Sequence, residues 1–285
     1  MIKKIIVLLF VVASGILHAQ DTLRSGNYSL VWDTLRMKER PDWSEHFKSQ
    51  NVNVGTLVIY DQQKGKYQVF NRQRMIERFL PASTFKIMNS LIALETGVVK
   101  NEKVTFKWDG FDRGVASWNQ DQNMEEAFKN STVWYYQQLA RKIGFKKMDE
   151  YVKQAGYGNK NIDGGLDDFW LKGKLRINAK EQVDLLKKLQ ADLLPFKKEN
   201  QAIVRKIMIE EKSDTYILRS KTGWAEQDGK NIGWYVGYVE RPKLKSKDEK
   251  SDYYYFALNI ELDPSKPEVR KTIVRRVLSE LKILN

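Results

Sequence analysis

The sequence predicts a mixed α/β (α+β) fold in which both ends of the chain build one half and the middle builds an all-helical half. Strand-like runs rich in β-branched and aromatic residues occupy residues 55–60, 67–71, 220–223, 232–240 and 253–262. Between the early and late runs, helical spacing of apolar residues fills about residues 100–215. The groove between the two halves is the natural position for a functional site.

The first elements are predicted to be a hairpin and a buried helix. Residues 61–65, Asp-Gln-Gln-Lys-Gly, are typical of a turn between the first two strands. Pro81 then precedes Ser83 and a mostly apolar stretch that ends before Gly97. This pattern predicts a buried helix with Ser83 near its start.

Glycines and capping residues divide the helical middle of the chain. Gly144 and Gly156 are predicted to end two helices, and Asn178 with Glu181 forms an asparagine version of the capping box. The helices predicted from these signals cover residues 132–143, 148–155, 198–209 and a segment after Pro267, with one more beginning at Asn178. A charged loop over residues 243–250 is expected to join the last two strands.

The N-terminus has the pattern of a secretory signal peptide. Lys3 and Lys4 precede an apolar run, and small residues follow up to Ala19. We therefore expect a signal peptide over residues 1–19, cleavage near Ala19 and Gln20, and a single secreted, periplasmic domain over residues 20–285. No later run is apolar enough to predict a stable membrane anchor.

Composition excludes several classes of function. The formal net charge of +13 falls to +11 without Lys3 and Lys4, but the basic residues alternate with acidic ones and no nucleic-acid module is present. We therefore expect a solvated basic surface and no nucleic-acid partner. The chain has no cysteine, and His46 is the one histidine after the signal peptide. No metal site and no Ser-His-Asp triad are expected.

Ser83 and Lys86 form an S-x-x-K motif at the start of the predicted buried helix. The i, i+3 spacing puts the hydroxyl and the amine on one helix face, where they can exchange a proton. Backbone N–H groups at the helix N-terminus also suit an oxyanion hole. The alternative interpretation is an ordinary helix cap. The same motif at Ser279 and Lys282 lies late in an amphipathic helix and is read as chance.

Two further motifs follow downstream. Lys221, Thr222 and Gly223 precede Trp224 in a predicted strand, where a cation and a hydroxyl can hold the carboxylate of an extended substrate. The alternative is a Lys-Thr pair in an ordinary strand. Between the two motifs, residues 131–133 read Ser-Thr-Val, an S-x-V motif in which Ser131 also has the residue type of an N-cap. An S-x-x-K followed by K-T-G is the signature of penicillin-recognising serine enzymes.

Taken together, these motifs resemble those of the class D serine β-lactamases, and the likeness runs from about Gly55 to the last helix. The stretches that carry it are residues 81–87, 94–98, 106–110, 157–159, 164–167, 169–171 and 221–224. The resemblance implies a serine β-lactamase/penicillin-binding transpeptidase-like fold, with an antiparallel sheet flanked by helices. The loops over residues 113–123 and 225–231 depart from the usual family pattern.

The resemblance also implies roles for individual residues. Ser83 is expected to be the nucleophile, Ser131 a proton shuttle, and Lys86 a general base after carboxylation of its amine by CO₂ or bicarbonate, with no other cofactor. The expected apolar pocket of the modified lysine consists of Phe85, Val133, Trp170 and Leu171. The expected substrate-binding residues are Lys221, Thr222, Gly223, Trp224 and Arg270, and Trp224 is also expected to give an oxyanion-hole N–H.

The implied activity is hydrolysis of small β-lactam substrates by a monomer or homodimer. The nearest alternative is a β-lactam sensor domain or penicillin-binding protein that is acylated without turnover. A non-catalytic protein that binds anionic surfaces through its basic charge is the third possibility.

Overall fold

The computed structural model describes residues 36–243 and 251–284. The predicted signal peptide and most of the predicted loop over residues 243–250 lie outside the described residues. No helix within the described ranges is both long enough and apolar enough to cross a bilayer.

A seven-stranded sheet forms the centre of the described chain. The strands are β1 (Met37–Glu39), β2 (Gly55–Asp61), β3 (Lys66–Phe70), β4 (Ile209–Lys212), β5 (Ile217–Gln227), β6 (Lys230–Arg241) and β7 (Asp252–Glu261). Their order across the sheet is β1-β3-β2-β7-β6-β5-β4. The first hairpin therefore pairs with the last strand, as expected for a sheet built from both ends of the chain.

The predicted fold class is confirmed, with one difference in the sheet. All neighbouring strands are antiparallel except β1, which pairs in parallel with β3. Parallel neighbours need a long crossover connection, and residues 40–65 supply it. The edge strands β1 and β4 have only 3 and 4 residues, too few for alternation of side chains to predict them.

Nine α-helices surround this sheet in the described ranges. They are α1 (Ser44–Lys48), α2 (Arg72–Ile76), α3 (Lys86–Glu95), α4 (Met124–Lys129), α5 (Val133–Ile143), α6 (Phe145–Gln154), α7 (Ala179–Gln190), α8 (Lys198–Ile207) and α9 (Val269–Glu280). Helices α1 and α9 cover one face of the sheet, and α7 packs on the other. Helix α3 lies between the helical half and the face of the sheet that α7 covers.

Helix α3 is buried over its whole length up to Leu94, which confirms the buried helix predicted after Pro81. Its neighbours include α5 and α8, so it is enclosed by the helical half. A helix without a solvent-facing side can hold polar groups only where their hydrogen bonds or their chemistry compensate for burial. Lys86, the first residue of α3, is therefore an unusual residue in its setting.

Helix boundaries agree with several sequence signals and differ at others. Gly144 ends α5 with a positive φ of 78°, and Asn178 and Glu181 form the predicted capping box of α7. Helix α6 starts at Phe145 rather than at residue 148, because one glycine separates α5 from α6. Helix α8 ends before β4 begins at Ile209.

The capping box of α7 gives a first test of the fold. Replacement Asn178→Ala removes the side-chain oxygen that accepts from the Glu181 N–H at 2.8 Å. We expect the free energy of unfolding to fall by about 1 kcal/mol. Urea denaturation measures this free energy. The control replacement Lys188→Ala, on the exposed side of the same helix, is expected to change the free energy of unfolding by less than about 0.5 kcal/mol. Equal effects of the two replacements would contradict this prediction.

Candidate active site

Ser83 lies on a tight turn that enters α3. Residues Ala82–Phe85 form a 3-10 helix, so Ser83 stands one turn before the α-helix predicted to begin there. Ala82 has a positive φ of 50°, a conformation that a residue with a side chain adopts only when its surroundings enforce it. The Ala82 N–H donates to the Trp170 carbonyl at 2.9 Å, and Thr84 donates to the Pro81 carbonyl through its N–H and its hydroxyl. These bonds fix the turn.

The hydroxyl and the amine of the first motif are in direct contact. Lys86 donates through Nζ to Ser83 Oγ at 2.9 Å. Ser83 is 8% exposed and Lys86 only 1% exposed. Burial, followed by the positive charge of Lys221, lowers the pKa of Lys86 well below its usual value. Burial therefore favours the neutral form of this amine, the form that can accept a proton or CO₂.

Aromatic rings pack beside the serine turn. Phe85 stacks on Trp170 with ring centroids 5.5 Å apart, and both side chains are buried. The Trp170 indole Nε1 is buried and has no hydrogen-bond partner among the described residues. Leu171 is half-buried against the same core, and Val133 begins α5. The aromatic packing beside the serine turn thus contains two buried groups without a partner among the described residues, Trp170 Nε1 and the Tyr157 hydroxyl.

Sequence reasoning missed Tyr136 beside the Lys86 amine. Its ring centroid lies 5.1 Å from Lys86 Nζ, and its hydroxyl is 2.9 Å from Ser90 Oγ. Both residues are fully buried. Tyr136 follows Val133 by three residues on α5, so the helical period alone places it on the same face. The sequence does not predict the hydrogen bond of the Tyr136 hydroxyl because its partner, Ser90, is distant in the sequence.

Ser131 and Lys221 meet across the groove between the two halves. Lys221 donates through Nζ to Ser131 Oγ at 3.0 Å and to the Thr222 carbonyl at 3.1 Å. Ser131 has a positive φ of 57°, and the residue that caps α5 is Thr132. The alternative role of Ser131 as a helix cap is therefore wrong. Its strained conformation instead turns the hydroxyl toward β5.

Strand β5 brings Lys221 to the serine turn by close packing at Gly223. A Cβ atom at this glycine would lie 3.1 Å from the Pro81 carbonyl oxygen and 3.2 Å from Thr84 Cγ2. A side chain here would crowd the turn by a few tenths of an ångström, so glycine suits the close approach of strand and turn. Gly223 is therefore a packing residue of the site.

The outer edge of β5 is open beside the serine turn. β4 pairs with β5 only up to Arg219, and the Ser220 N–H donates to the Met208 carbonyl on that side. Because backbone N–H groups of alternate residues point the same way in a strand, those of Thr222 and Trp224 face this open edge. The Trp224 side chain is 45% exposed, and its Nε1 donates to Asn231 Oδ1. The edge can accept an extended ligand.

Arg270, the second residue of α9, is anchored beside this edge. It donates to the Gly223 carbonyl and to the Pro267 carbonyl, each at 2.7 Å. Its side chain also crosses Gly233, where an added Cβ would lie 3.1 Å from Arg270 Cδ. The guanidinium is buried against neutral carbonyl groups, so its charge is available to an anionic ligand.

The second S-x-x-K match is not part of any such arrangement. Ser279 and Lys282 are both exposed near the end of α9 and after it. Its interpretation as a chance match agrees with this placement. The predicted residues Ser83, Lys86, Ser131, Lys221, Thr222, Gly223, Trp224 and Arg270 instead come from four separate chain segments that converge on the groove.

Comparison with known proteins identifies the family of the chain. A family model for the penicillin binding protein transpeptidase domain matches residues 55–279. The chain is 40% identical over 248 residues to β-lactamase OXA-48 of Klebsiella pneumoniae, with 87% of this chain and 90% of that protein covered. It is 38% identical over 244 residues to β-lactamase OXA-10 of Pseudomonas aeruginosa, with 84% and 88% covered.

Solved structures give the same result. A class D β-lactamase from Nostoc has a TM-score of 0.80 at 43% identity, with 85% of this chain and 99% of that one covered. FUS-1 (OXA-85), a class D β-lactamase from Fusobacterium nucleatum subsp. polymorphum, has a TM-score of 0.81 at 40% identity, with 87% and 100% covered. Fold and motifs define a serine enzyme of the transpeptidase class. Within that class, the chain belongs to the class D β-lactamases.

The Tyr136–Ser90 hydrogen bond provides a test of the site's packing. Tyr136→Phe keeps the ring beside Lys86 but leaves the buried Ser90 hydroxyl without its partner, and we expect the free energy of unfolding to fall by about 1–2 kcal/mol. In the double variant with Ser90→Ala no partner is left unpaired, so most of the loss is expected to be recovered. Urea denaturation of all four proteins measures the coupling, and strictly additive effects would contradict it.

Proposed function

We propose that this protein hydrolyses the lactam amide of penicillin-type antibiotics through an acyl-enzyme on Ser83. The observation that carries the proposal is the contact of a fully buried lysine amine with the Ser83 hydroxyl at 2.9 Å. A protonated lysine, with a usual pKa of about 10.4, cannot accept the serine proton at neutral pH. The burial of Lys86 removes that obstacle.

The niche of Lys86 also fits a carboxylated amine. A carbamate on Nζ needs hydrogen-bond donors in surroundings that otherwise favour the neutral lysine, and Trp170, which packs on Phe85 and bonds to Ala82, has a buried Nε1 without a partner. We propose that Trp170 donates to the modified lysine while Phe85, Val133 and Leu171 exclude water. The carboxylated Lys86 would supply one general base for both acylation and deacylation.

The remaining groups act on the substrate. Ser83 Oγ attacks the lactam carbonyl, and the N–H groups of Ser83 and Trp224 stabilise the oxyanion. As the C–N bond breaks, the lactam nitrogen takes a proton from Ser131, Lys221 replaces that proton through its hydrogen bond to Ser131 Oγ, and the proton that Lys86 removed from Ser83 restores the charge of Lys221. Water then displaces Ser83 from the acyl group and releases the acid. Arg270 and Thr222 bind the substrate carboxylate at the other end of the groove.

The relatives favour turnover over mere acylation, since those at 38–40% identity over most of the chain are β-lactamases. A sensor domain or penicillin-binding protein would form the same acyl-enzyme without releasing it. We further propose secretion to the periplasm after cleavage near Ala19 and Gln20. This location is supported by the signal-peptide pattern of residues 1–19.

The variant Lys86→Ala distinguishes repeated turnover from acylation without release. With a chromogenic cephalosporin and added bicarbonate, we expect the wild-type protein to turn over repeatedly. The variant lacks the base and is expected to lose about 10²-fold or more in kcat/KM. Intact-mass spectrometry with a penicillin should show at most one persistent adduct on the variant, and none on Ser83→Ala. A persistent single adduct on the wild type would instead favour the sensor or penicillin-binding protein.

The role of Trp170 has its own test. Trp170→Phe keeps an aromatic ring against Phe85 but removes the indole donor, so we expect the carboxylated lysine to be less stable. The bicarbonate concentration that gives half-maximal activity should rise about tenfold, which corresponds to one charge-assisted hydrogen bond. Activity at saturating bicarbonate should largely recover. Equal bicarbonate dependence in the wild type and in Trp170→Phe would contradict the proposed contact. Trp118→Phe is the matched control.

A further inference from the structure

Strand β4 directs a carboxylate toward the strand that carries Lys221. The register of β4 against β5 shifts between Ile209 and Glu211, so Glu210 has no direct partner on β5. A register shift of this kind changes the direction of a side chain. Glu210 is exposed as a whole residue, but its side chain is only 22% exposed.

Two hydroxyl groups and two cations hold this carboxylate. Ser220 Oγ donates to Glu210 Oε2, and so does the Tyr235 hydroxyl at 2.9 Å. Lys271 Nζ and Arg275 Nη2 each lie 3.4 Å from Oε1. Burial alone would raise the pKa of Glu210, but the Ser220 hydrogen bond and the Lys271 charge outweigh it and lower the pKa. The carboxylate is therefore ionised at neutral pH.

Glu210 is connected to the site through both neighbouring strands. Ser220 directly precedes Lys221 on β5, and Tyr235 lies opposite Thr222 on β6. Burial and the Glu210 charge raise the pKa of Tyr235, so its hydroxyl stays protonated and donates. The carboxylate thus fixes two backbone positions that flank the groups expected to bind substrate.

The charges that face Lys221 are mostly positive. Arg270 and Lys271 approach from α9 as cations, whereas Lys86, which approaches from α3, is neutral when unmodified and anionic when carboxylated. The other side of Lys221 contacts the Ser131 hydroxyl and the face of the Phe128 ring, 5.6 Å from Nζ. Among the described groups that act on the charge of Lys221, Glu210 is the one carboxylate.

We propose that Glu210 is a positioning residue that, by holding Ser220, keeps the neighbouring Lys221 in hydrogen-bond contact with Ser131. The inference rests on the proposed function, in which Ser131 protonates the leaving nitrogen and Lys221 lies beside the substrate. Glu210 itself is separated from the groove by β5 and acts through Ser220 and through its charge.

The direction of the effect follows from the electrostatics. Burial, Arg270 and Lys271 lower the pKa of Lys221 to about 7, while Glu210 raises it. Lys221 therefore loses its proton as the pH rises through the physiological range. Removing the Glu210 charge lowers this pKa further, so the cation is lost at a lower pH. At pH 6 Lys221 still carries most of its charge, and the effect there is small.

Glu210→Gln tests the proposal, because it removes the charge and retains the shape of the side chain. With a chromogenic cephalosporin at saturating bicarbonate, we expect the alkaline limb of kcat/KM to move to lower pH by on the order of half a unit. The ratio of the KM of Glu210→Gln to that of the wild type should be about threefold higher at pH 8 than at pH 6. The reason is that Lys221 holds the anionic substrate less well when it is neutral.

Glu211→Gln is the matched control on the same strand. Glu211 pairs with Arg275 and accepts from Tyr216, but it makes no contact with Ser220. The replacement removes the same charge from β4, and its pH profile is expected to match that of the wild type. An equal shift in both variants would overturn the proposal, because the effect would then come from β4 in general.

A measurement without substrate separates this inference from the proposed function. In protein labelled with ¹³C at the lysine Cε, the Lys221 signal is assigned by its loss in Lys221→Ala, and its titration is followed with pH. Glu210→Gln should move the titration of Lys221 to lower pH, and Glu211→Gln should not. If the wild type fails to turn over β-lactams, the proposed function fails while this titration still tests Glu210. An unchanged titration in Glu210→Gln overturns the inference.

Discussion

The burial of one amine beside one hydroxyl determines how the rest of this protein is built. Lys86 is 1% exposed at the start of a helix enclosed by other elements, and its Nζ contacts Ser83 Oγ. A buried amine without a carboxylate partner destabilises the folded state. The surrounding aromatic packing must compensate for that cost, since Phe85, Phe169, Trp170 and Tyr157 are all buried around the turn. Reactivity and stability therefore depend on the same few side chains.

A second constraint is the joining of two halves at the groove. Ser131 comes from the helical half and Lys221 from the sheet, and their 3.0 Å contact closes the site from both sides. The charges near Lys221 connect this contact to α9 and β4. A site of this kind gains its precision from packed elements, and the strained φ values of Ala82 and Ser131 lie at the two places where those elements meet.

Much of this architecture is readable in the sequence, for physical reasons that differ by residue. The S-x-x-K, S-x-V and K-T-G motifs are short and contiguous in the sequence. The helix that begins at Lys86 has an apolar pattern too continuous for a surface helix. Tyr136 and Glu210 were not predicted, because their roles depend on Ser90 and Ser220, which only the fold brings close. Edge strand β4 and its register shift could not be predicted either, because four residues are too few to show a periodic pattern of side chains.

The pairing of the first long strand with the last has a consequence for how the chain folds. β2 lies between β3 and β7, with Gly55 opposite Ile260. A chain synthesised from its N-terminus cannot complete the central sheet until its final strand has emerged. Contacts between residues so far apart in sequence make folding slow. A polypeptide that remains unfolded until synthesis ends exposes the apolar side chains of its incomplete sheet, and it needs protection from aggregation until its last segment arrives.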